Sequence, residues 1–405
     1  MKLKDLKIQY FKGRPPKVKE GSSLLPYLNP DYIRTGAIPE FYPLQSGVVL
    51  VEDNDLILLW DGSNAGEFFR GKKGILGSTM VKFNKLDGVK EDYFYYSLKF
   101  QEPTLKSKTS GSGIPHVDKE MLLNLNIYLP NKEDEQSIIS TILTTIDQAI
   151  EKTEQLIAKY ERIKTGLMQD LLTRGIDEQG NIRSEETHEF KDSGLGRIPR
   201  EWEIKTMVDL CLVNPQKNKV PNNFFVSFLA MADVSDNAKI IGGSEVPFEK
   251  VSSGFTSFIE GDILVAKITP CFENGKGAFA AGLKNGVGYG STEFHVLRPK
   301  EGVSGRLIYH LTTSTKFRNA GRAVMIGSAG QQRVQRQFFE RYFFPFPKEK
   351  KEQERICEIL DSQDGLIEKE QSKLGKYQGI KTALMQDLLT GKVRVDTLIK
   401  TTQTI

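Results

Sequence analysis

The densest run of chemically distinctive side chains lies at 304–341. Arg306, Lys316, Arg318, Arg322, Arg333, Arg336 and Arg341 meet a single acid there, Glu340, so the stretch carries a net charge of +6. Arginine outnumbers lysine six to one. A guanidinium is planar and offers its donors in pairs, which suits phosphate oxygens and base edges. Charge at this density is the electrostatic footprint of a polyanion site. Arg318, Arg322, Arg333 and Arg336, together with Lys316, are therefore expected to contact DNA.

Nothing comparable points to catalysis. GEFFRGKK (66–73) follows the spacing of a phosphate-binding loop, but Lys73 stands where a hydroxyl is needed for Mg²⁺. NPDY (29–32) differs from the NPPY of amino-methyltransferases at Asp31 and reads as a tight turn. ENGKG (273–277) is glycine-rich but precedes no helix. His116, His188, His295 and His310 lack metal-ligand spacing, and Cys211, Cys271 and Cys357 form neither a disulfide framework nor a metal set. No catalytic residue, metal or cofactor is expected. No apolar run approaches the ~20 residues that span a bilayer. MKLKDLKIQY has no secretory apolar core, so a cytoplasmic location is expected.

The elements that must position the basic residues come in duplicate. IKTGLMQDLLT (163–173) returns as IKTALMQDLLT (380–390), and the offset of 217 holds without a gap back to Pro130 and Pro347. A period of half the chain marks a duplicated domain. Each copy starts with an acidic cluster after a proline, which suits a helix N-terminus. Apolar residues then recur every three or four positions. The seam runs Ile139, Leu143, Ile146, Ile150, Thr153, Ile157, Tyr160, Lys164, Leu167, Leu171 in the first copy. In the second it runs Ile356, Leu360, Gln363, Ile367, Glu370, Leu374, Tyr377, Lys381, Leu384, Leu388. This spacing predicts two long helices packed as an imperfect coiled coil. Met168, Leu172, Met385 and Leu389 fall outside the seam and are expected to bind a partner.

The remaining sequence repeats more loosely. NDLILLW (54–60) answers to GDILVAK (261–267), GSTMVKF (77–83) to GSTEFHV (290–296), and SGSGIPHV (110–117) to GSAGQQRV (327–334). The short apolar runs read as strands, while DYFYYSLKF (92–100) fits a helix or a buried strand. Both halves are basic, with 18 Lys+Arg against 15 Asp+Glu in 1–130 and 17 against 13 in 201–347. The last loop pair nominates Lys106, Lys108, His116 and Lys119 as DNA contacts of the first half, by analogy with the arginines of the second. The expected fold is α+β: two similar mixed α/β domains separated by two long antiparallel helices, with a pseudo-twofold internal repeat. Boundaries fall at 1–132 for the first head, 133–175 for the central helix and 176–200 for a polar linker. The second head takes 201–348, the C-terminal helix 349–392, and a polar tail 393–405.

GDILVAKITPCFENGKGAF, GSTEFHVLRP, GRIPREWE and the repeated LMQDLLT resemble the DNA-specificity subunit of type I restriction-modification systems. That resemblance spans essentially the whole chain. It implies two target-recognition domains, each reading one half of a split site in double-stranded DNA. The helical regions would separate them and bind two modification (methyltransferase) subunits, and restriction subunits would complete the nuclease complex. Such a subunit is not itself an enzyme. A self-contained methyltransferase or nuclease, or a coiled-coil adaptor without DNA binding, is the competing expectation.

Overall fold

The structure, a computed structural model, describes residues 1–18, 20–107, 115–217, 220–221 and 223–395. The candidate Lys108 and the tail beyond Val395 lie outside the described residues. Two compact units form: Met1–Gln155 with Glu370–Ile405, and Leu156–Lys369.

The first head begins with β1 (Tyr10–Lys12), β2 (Leu24–Leu28), α1 (Pro30–Thr35) and β3 (Phe41–Pro43). It continues through β4 (Leu50–Val51), β5 (Leu56–Leu59), β6 (Phe68–Arg70), β7 (Gly74–Leu76), β8 (Met80–Phe83), α2 (Glu91–Lys106) and α3 (Lys119–Leu123). Its sheets are ordered β1-β8-β5-β6 and β3-β2-β7-β4. The segment 92–100 is helical: Tyr93, Phe94, Ser97 and Leu98 bury one face of α2 at helical spacing. NPDY opens α1 instead of making a free-standing turn, because the Asn29 side chain accepts from Tyr32 N and caps the helix. The first long helix, α4 (Glu133–Leu171), follows.

The polar stretch expected to be a plain linker is built into the second unit. It forms a hairpin of β9 (Phe190–Ser193) and β10 (Gly196–Pro199), and Ile176 and Ile198 join the core around Trp202. The second head starts with β11 (Glu203–Thr206), α5 (Met207–Leu210), β12 (Cys211–Val213), β13 (Phe225–Leu229), β14 (Ser244–Pro247) and β15 (Thr256–Ile259). Next come β16 (Ile263–Ala266), β17 (Gly277–Phe279), β18 (Val287–Gly290) and β19 (Phe294–Pro299). It closes with α6 (Gly305–Thr313), α7 (Thr315–Ala323), α8 (Arg336–Arg341) and β20 (Phe343–Phe346), before the long helix α9 (Lys350–Leu388).

The second head repeats the first strand for strand. Its sheets run β12-β19-β16-β17 and β14-β13-β18-β15. The one parallel pair recurs as well, β2 with β7 and β13 with β18. Asn54 and Gly261 both hold positive φ, and the Asp after each turns back to cap the central strand. Lys82 meets Asp55 at 2.5 Å, and Arg298 grips Asp262 with two bonds of 2.8–2.9 Å. The two GST triplets stand one residue out of step. Met80 lies opposite Leu59, but Phe294, one place further from its triplet, lies opposite Ala266.

Segments of both long helices pack in each unit. Every position of the expected seam is buried or half-buried. The two lysines that interrupt its apolar pattern make matching pairs, Lys164 with Asp364 at 2.6 Å and Lys381 with Asp147 at 2.5 Å. Asp147 and Asp364 themselves stand 217 apart, so the pairs are repeat-related. Pairing runs antiparallel: Asp147 meets Lys381 on α9, while Glu135, earlier on α4, meets Arg394, just past the end of α9.

Each helix is fastened to its head by a buried glutamine. Gln136 accepts from Lys90 N at 2.9 Å and donates to Gly88 O and Pro130 O. Its counterpart Gln353 accepts from Ser304 N at 2.8 Å and donates to Pro347 O at 3.0 Å. Removing such an amide leaves buried backbone groups without partners. Gln136→Ala and Gln353→Ala should each lower stability by about 1–3 kcal/mol. The exposed Gln169→Ala should stay within about 0.5 kcal/mol. Denaturant midpoints of the three variants check this.

Candidate nucleic-acid interface

The basic stretch of the second head is shaped by the end of its central strand. Val334 N donates to Lys267 O at 2.9 Å, just beyond β16. Ile326 and Arg333 exchange two backbone bonds, and Thr269 N donates to Gln332 O at 2.9 Å. A tip, 327–332, results. Gly327 takes φ +142°, and a Cβ there would stand 2.7 Å from Gln331 O, so glycine is required. The first head uses the same anchor: Val117 N donates to Trp60 O at 2.9 Å beyond β5.

The structure divides the expected arginines. Arg318 is 7% exposed; its guanidinium donates to Thr312 O, Phe272 O and Gly275 O at 2.7–3.2 Å and lies over the Phe272 ring. Burial lowers its pKa to about 10, so it stays charged while serving the core. The expectation of a DNA contact at Arg318 is thereby corrected: its donors are taken. Arg333 is half-buried and braces the tip. It clasps the Glu293 carboxylate through Nε and Nη2 and donates from Nη1 to Gln331 O at 3.0 Å. Arg322 and Arg336 remain exposed, with loose acid neighbours at 3.5 Å, Glu273 and Glu340. Lys316 is exposed on the first turn of α7. Counting charge along the sequence could not tell these roles apart, since the distinction is one of burial.

In the first head, Lys106 is held by Glu102 at 2.7 Å. His116 forms a bridge with Asp61 beside the loop anchor, where Arg333 bridges Ile268 in the second head. Lys119 is exposed at the start of α3, its Nζ 5.9 Å from the centre of the Tyr10 ring.

The four residues expected to bind a partner are covered by the chain itself. Leu172 is buried with Trp202, Ile356 and Leu360, and Leu389 with Tyr93, Tyr96 and Leu388; Met168 and Met385 pack against the same clusters. For Leu172 and Leu389 that expectation is corrected, because the core of each unit extends past the seam; Met168 and Met385 stay half-buried. Besides Leu366 at 40%, the exposed large apolar positions of the long helices are Ile163 and Ile380, at 40% and 47%. They stand 217 apart, which makes them repeat equivalents.

Folding also gathers groups that the sequence keeps apart. Ligand atoms of His310, Asp361 and Asp364 lie within 4.8 Å of one another. Both carboxylates are already matched with cations. Asp361 takes Arg306 and, at 2.8 Å, the His310 Nε2–H, while Asp364 takes Lys164. Burial works against the Asp361 charge, yet His310 and Arg306 hold its pKa down at about 2. This is an ionic latch between α6 and α9. Beside it lies an open cavity of about 320 Å³ lined by both signs of charge, including Lys239 and Glu368.

Two copies of one head-and-helix unit, with exposed cations around a braced tip, define a duplicated recognition scaffold. A family model described as the type I restriction modification DNA specificity domain matches residues 1–162 and 199–376. The MjaVIII specificity subunit of Methanocaldococcus jannaschii is 32% identical over 96% of this chain and 92% of its own length. The EcoAI specificity subunit of Escherichia coli is 38% identical over 47% of this chain and 33% of its own. The chain belongs to the type I restriction-modification DNA specificity family. In fold it is similar to the S subunit from M. genitalium, with a TM-score of 0.57 at 14% identity, covering 94% of this chain and 93% of that one. A structure described by the complex assembly and conformational transition of the type I R-M system gives 0.50 at 14% identity, over 94% and 97%. The specificity subunit is the non-catalytic member of such systems. Among the described residues, no helix is long and apolar enough to cross a membrane.

His295 ties this site to pH. Its Nε2–H donates to Val334 O at 2.9 Å, and Nδ1 accepts from Asn214 Nδ2 at 3.1 Å. Burial pushes its pKa down to about 4, against the bond to Val334 that favours the charged ring. The unfolded chain, titrating near 6.5, binds the proton more readily, so stability falls as pH drops below that value. Going from pH 7 to pH 5 should cost about 2 kcal/mol through this residue, at roughly 1.4 kcal/mol per unit. Burial also lowers the His310 pKa, which adds in the same direction. His295→Gln should flatten the slope of stability against pH, and an unchanged slope would place the titrating group elsewhere.

Proposed function

We propose that this chain reads a split site in double-stranded DNA, one half per head, and carries two modification subunits, joined by restriction subunits in the complete complex. On this reading 1–132 and 201–348 are the target-recognition domains, and 133–175 and 349–392 are the spacer helices. The observation that carries it is the repeated loop anchor, Val117 on Trp60 and Val334 on Lys267. It fixes equivalent backbone positions in two heads whose neighbouring side chains differ. In the second head, Lys316, Arg322 and Arg336 hold the phosphates. Lys119 does so in the first, with His116 beside the anchor. One modification subunit docks on each repeat, around Ile163 and around Ile380. The complex works on DNA in the cytoplasm.

Selection from a randomised duplex pool tests the reading. Two unrelated half-sequences at a fixed spacing are expected, and a single motif or none would refute it. Arg322→Ala and Arg336→Ala should weaken binding to all sequences alike and reduce the salt slope by about one each. Arg318→Ala should instead lower the unfolding midpoint. Mass measurement of the chain co-expressed with its modification subunit should show two partners per chain. Ile163→Glu combined with Ile380→Glu should leave none.

A further inference from the structure

We infer that the carboxamides of Gln331 and Gln332 read an adenine-containing base pair in the half-site of the second head. This rests on the reading of the chain as a DNA-specificity subunit and names residues that recognise sequence in place of charge.

The tip that carries them is fixed at both ends and across its middle. Gln331 N donates to Ser328 O at 2.9 Å, and Gln332 N donates to Thr269 Oγ1 at 3.1 Å. The Arg333 guanidinium spans from Glu293 to Gln331 O, so a turn residue just ahead of β19 holds the tip backbone through a charged fork. The base of the tip is pinned by His295 on Val334 O. A loop held this way has little conformational freedom left to lose on binding.

Both carboxamides point to a use beyond the fold. Gln331 is exposed and Gln332 half-buried, and neither side-chain amide has a hydrogen-bond partner among the described residues. Other glutamines of this chain at structural positions use their amides: Gln45 bonds Lys17 and Val18, Gln136 and Gln353 the head backbones. A carboxamide offers one donor and one acceptor side by side. That matches the N7 acceptor and N6 amino donor of adenine in the major groove. Arg322 and Arg336 flank the tip in the chain and supply the positioning contacts that carry no sequence information. Ile326, 66% exposed at the root of the tip, adds an apolar surface of the kind that a thymine methyl accepts.

The test uses the full chain, alone or assembled with modification subunits, and a randomised duplex pool. Gln331→Ala and Gln332→Ala should each relax preference at one base pair of one half-site by roughly tenfold to a hundredfold. The other half-site should be read as before. Because the removed groups are neutral, the salt slope should not change, which separates reading from phosphate contact. Unfolding midpoints should stay close to the wild-type value, since neither side-chain amide is hydrogen-bonded to the fold. A double variant that selects the wild-type sequence at every position would overturn this inference alone. A wild-type chain that selects no sequence would overturn the parent reading and this inference with it.

Discussion

Both long helices begin with the same dipeptide, Glu135-Gln136 and Glu352-Gln353, buried throughout except for the half-buried Glu352. The glutamine fastens each helix to its own head. The glutamate faces the segment that leaves the other long helix. Glu352 accepts from Ile176 N at 3.1 Å, from Trp202 Nε1 at 3.2 Å and from the Arg183 guanidinium. Glu135 is clasped by Arg394 at 2.6 and 2.7 Å. A buried carboxylate costs several kcal/mol unless it is paired and hydrogen-bonded, so these positions tolerate few arrangements. Sliding either helix by one turn would strand both glutamates at once.

The pairs along the seam act in the same sense. Lys164–Asp364 and Lys381–Asp147 are repeat-related, and each sits at a position that a purely apolar seam would leave unspecific. Apolar side chains favour contact in many registers, while a half-buried ion pair favours one. Asp147 is held further by the Tyr96 hydroxyl at 2.8 Å, which ties the register of the pair to the first head. Helix alignment and head placement within a unit are thus fixed by the same side chains.

How much of this the sequence revealed depended on what kind of residue carried it. The helices and their seam were legible because a 3.6-residue rhythm survives over 39 residues, twice. The central strands were legible because LILL and ILVA are buried at every position. The ordered linker was not, since its hairpin is mostly polar and its anchors, Ile176 and Ile198, are scattered. The site was read only in part. Lysine and arginine look alike in a charge count whether they solvate a surface, brace a loop as Arg333 does, or fill a core as Arg318 does. Met168, Leu172, Met385 and Leu389 looked unpartnered on a helical projection because the heads that cover them belong to no helical period.

The duplication itself sorts framework from readout. Positions that fasten a helix are the same residue in both copies: Glu, Gln, the seam lysine and its aspartate. The caps of the central strands are kept too, Asp55 and Asp262. Around the loop anchors identity is lost. Trp60 stands against Lys267, Asp61 against Ile268 and His116 against Arg333, although the backbone bonds there are the same. A backbone bond needs no particular side chain, so the anchor can hold its geometry while the side chains beside it change freely. Within one chain, an unchanging frame therefore carries two sets of anchor side chains of different chemistry. That is the arrangement a reader of two unlike half-sites requires, because changing one set leaves the frame, and with it the other head, untouched.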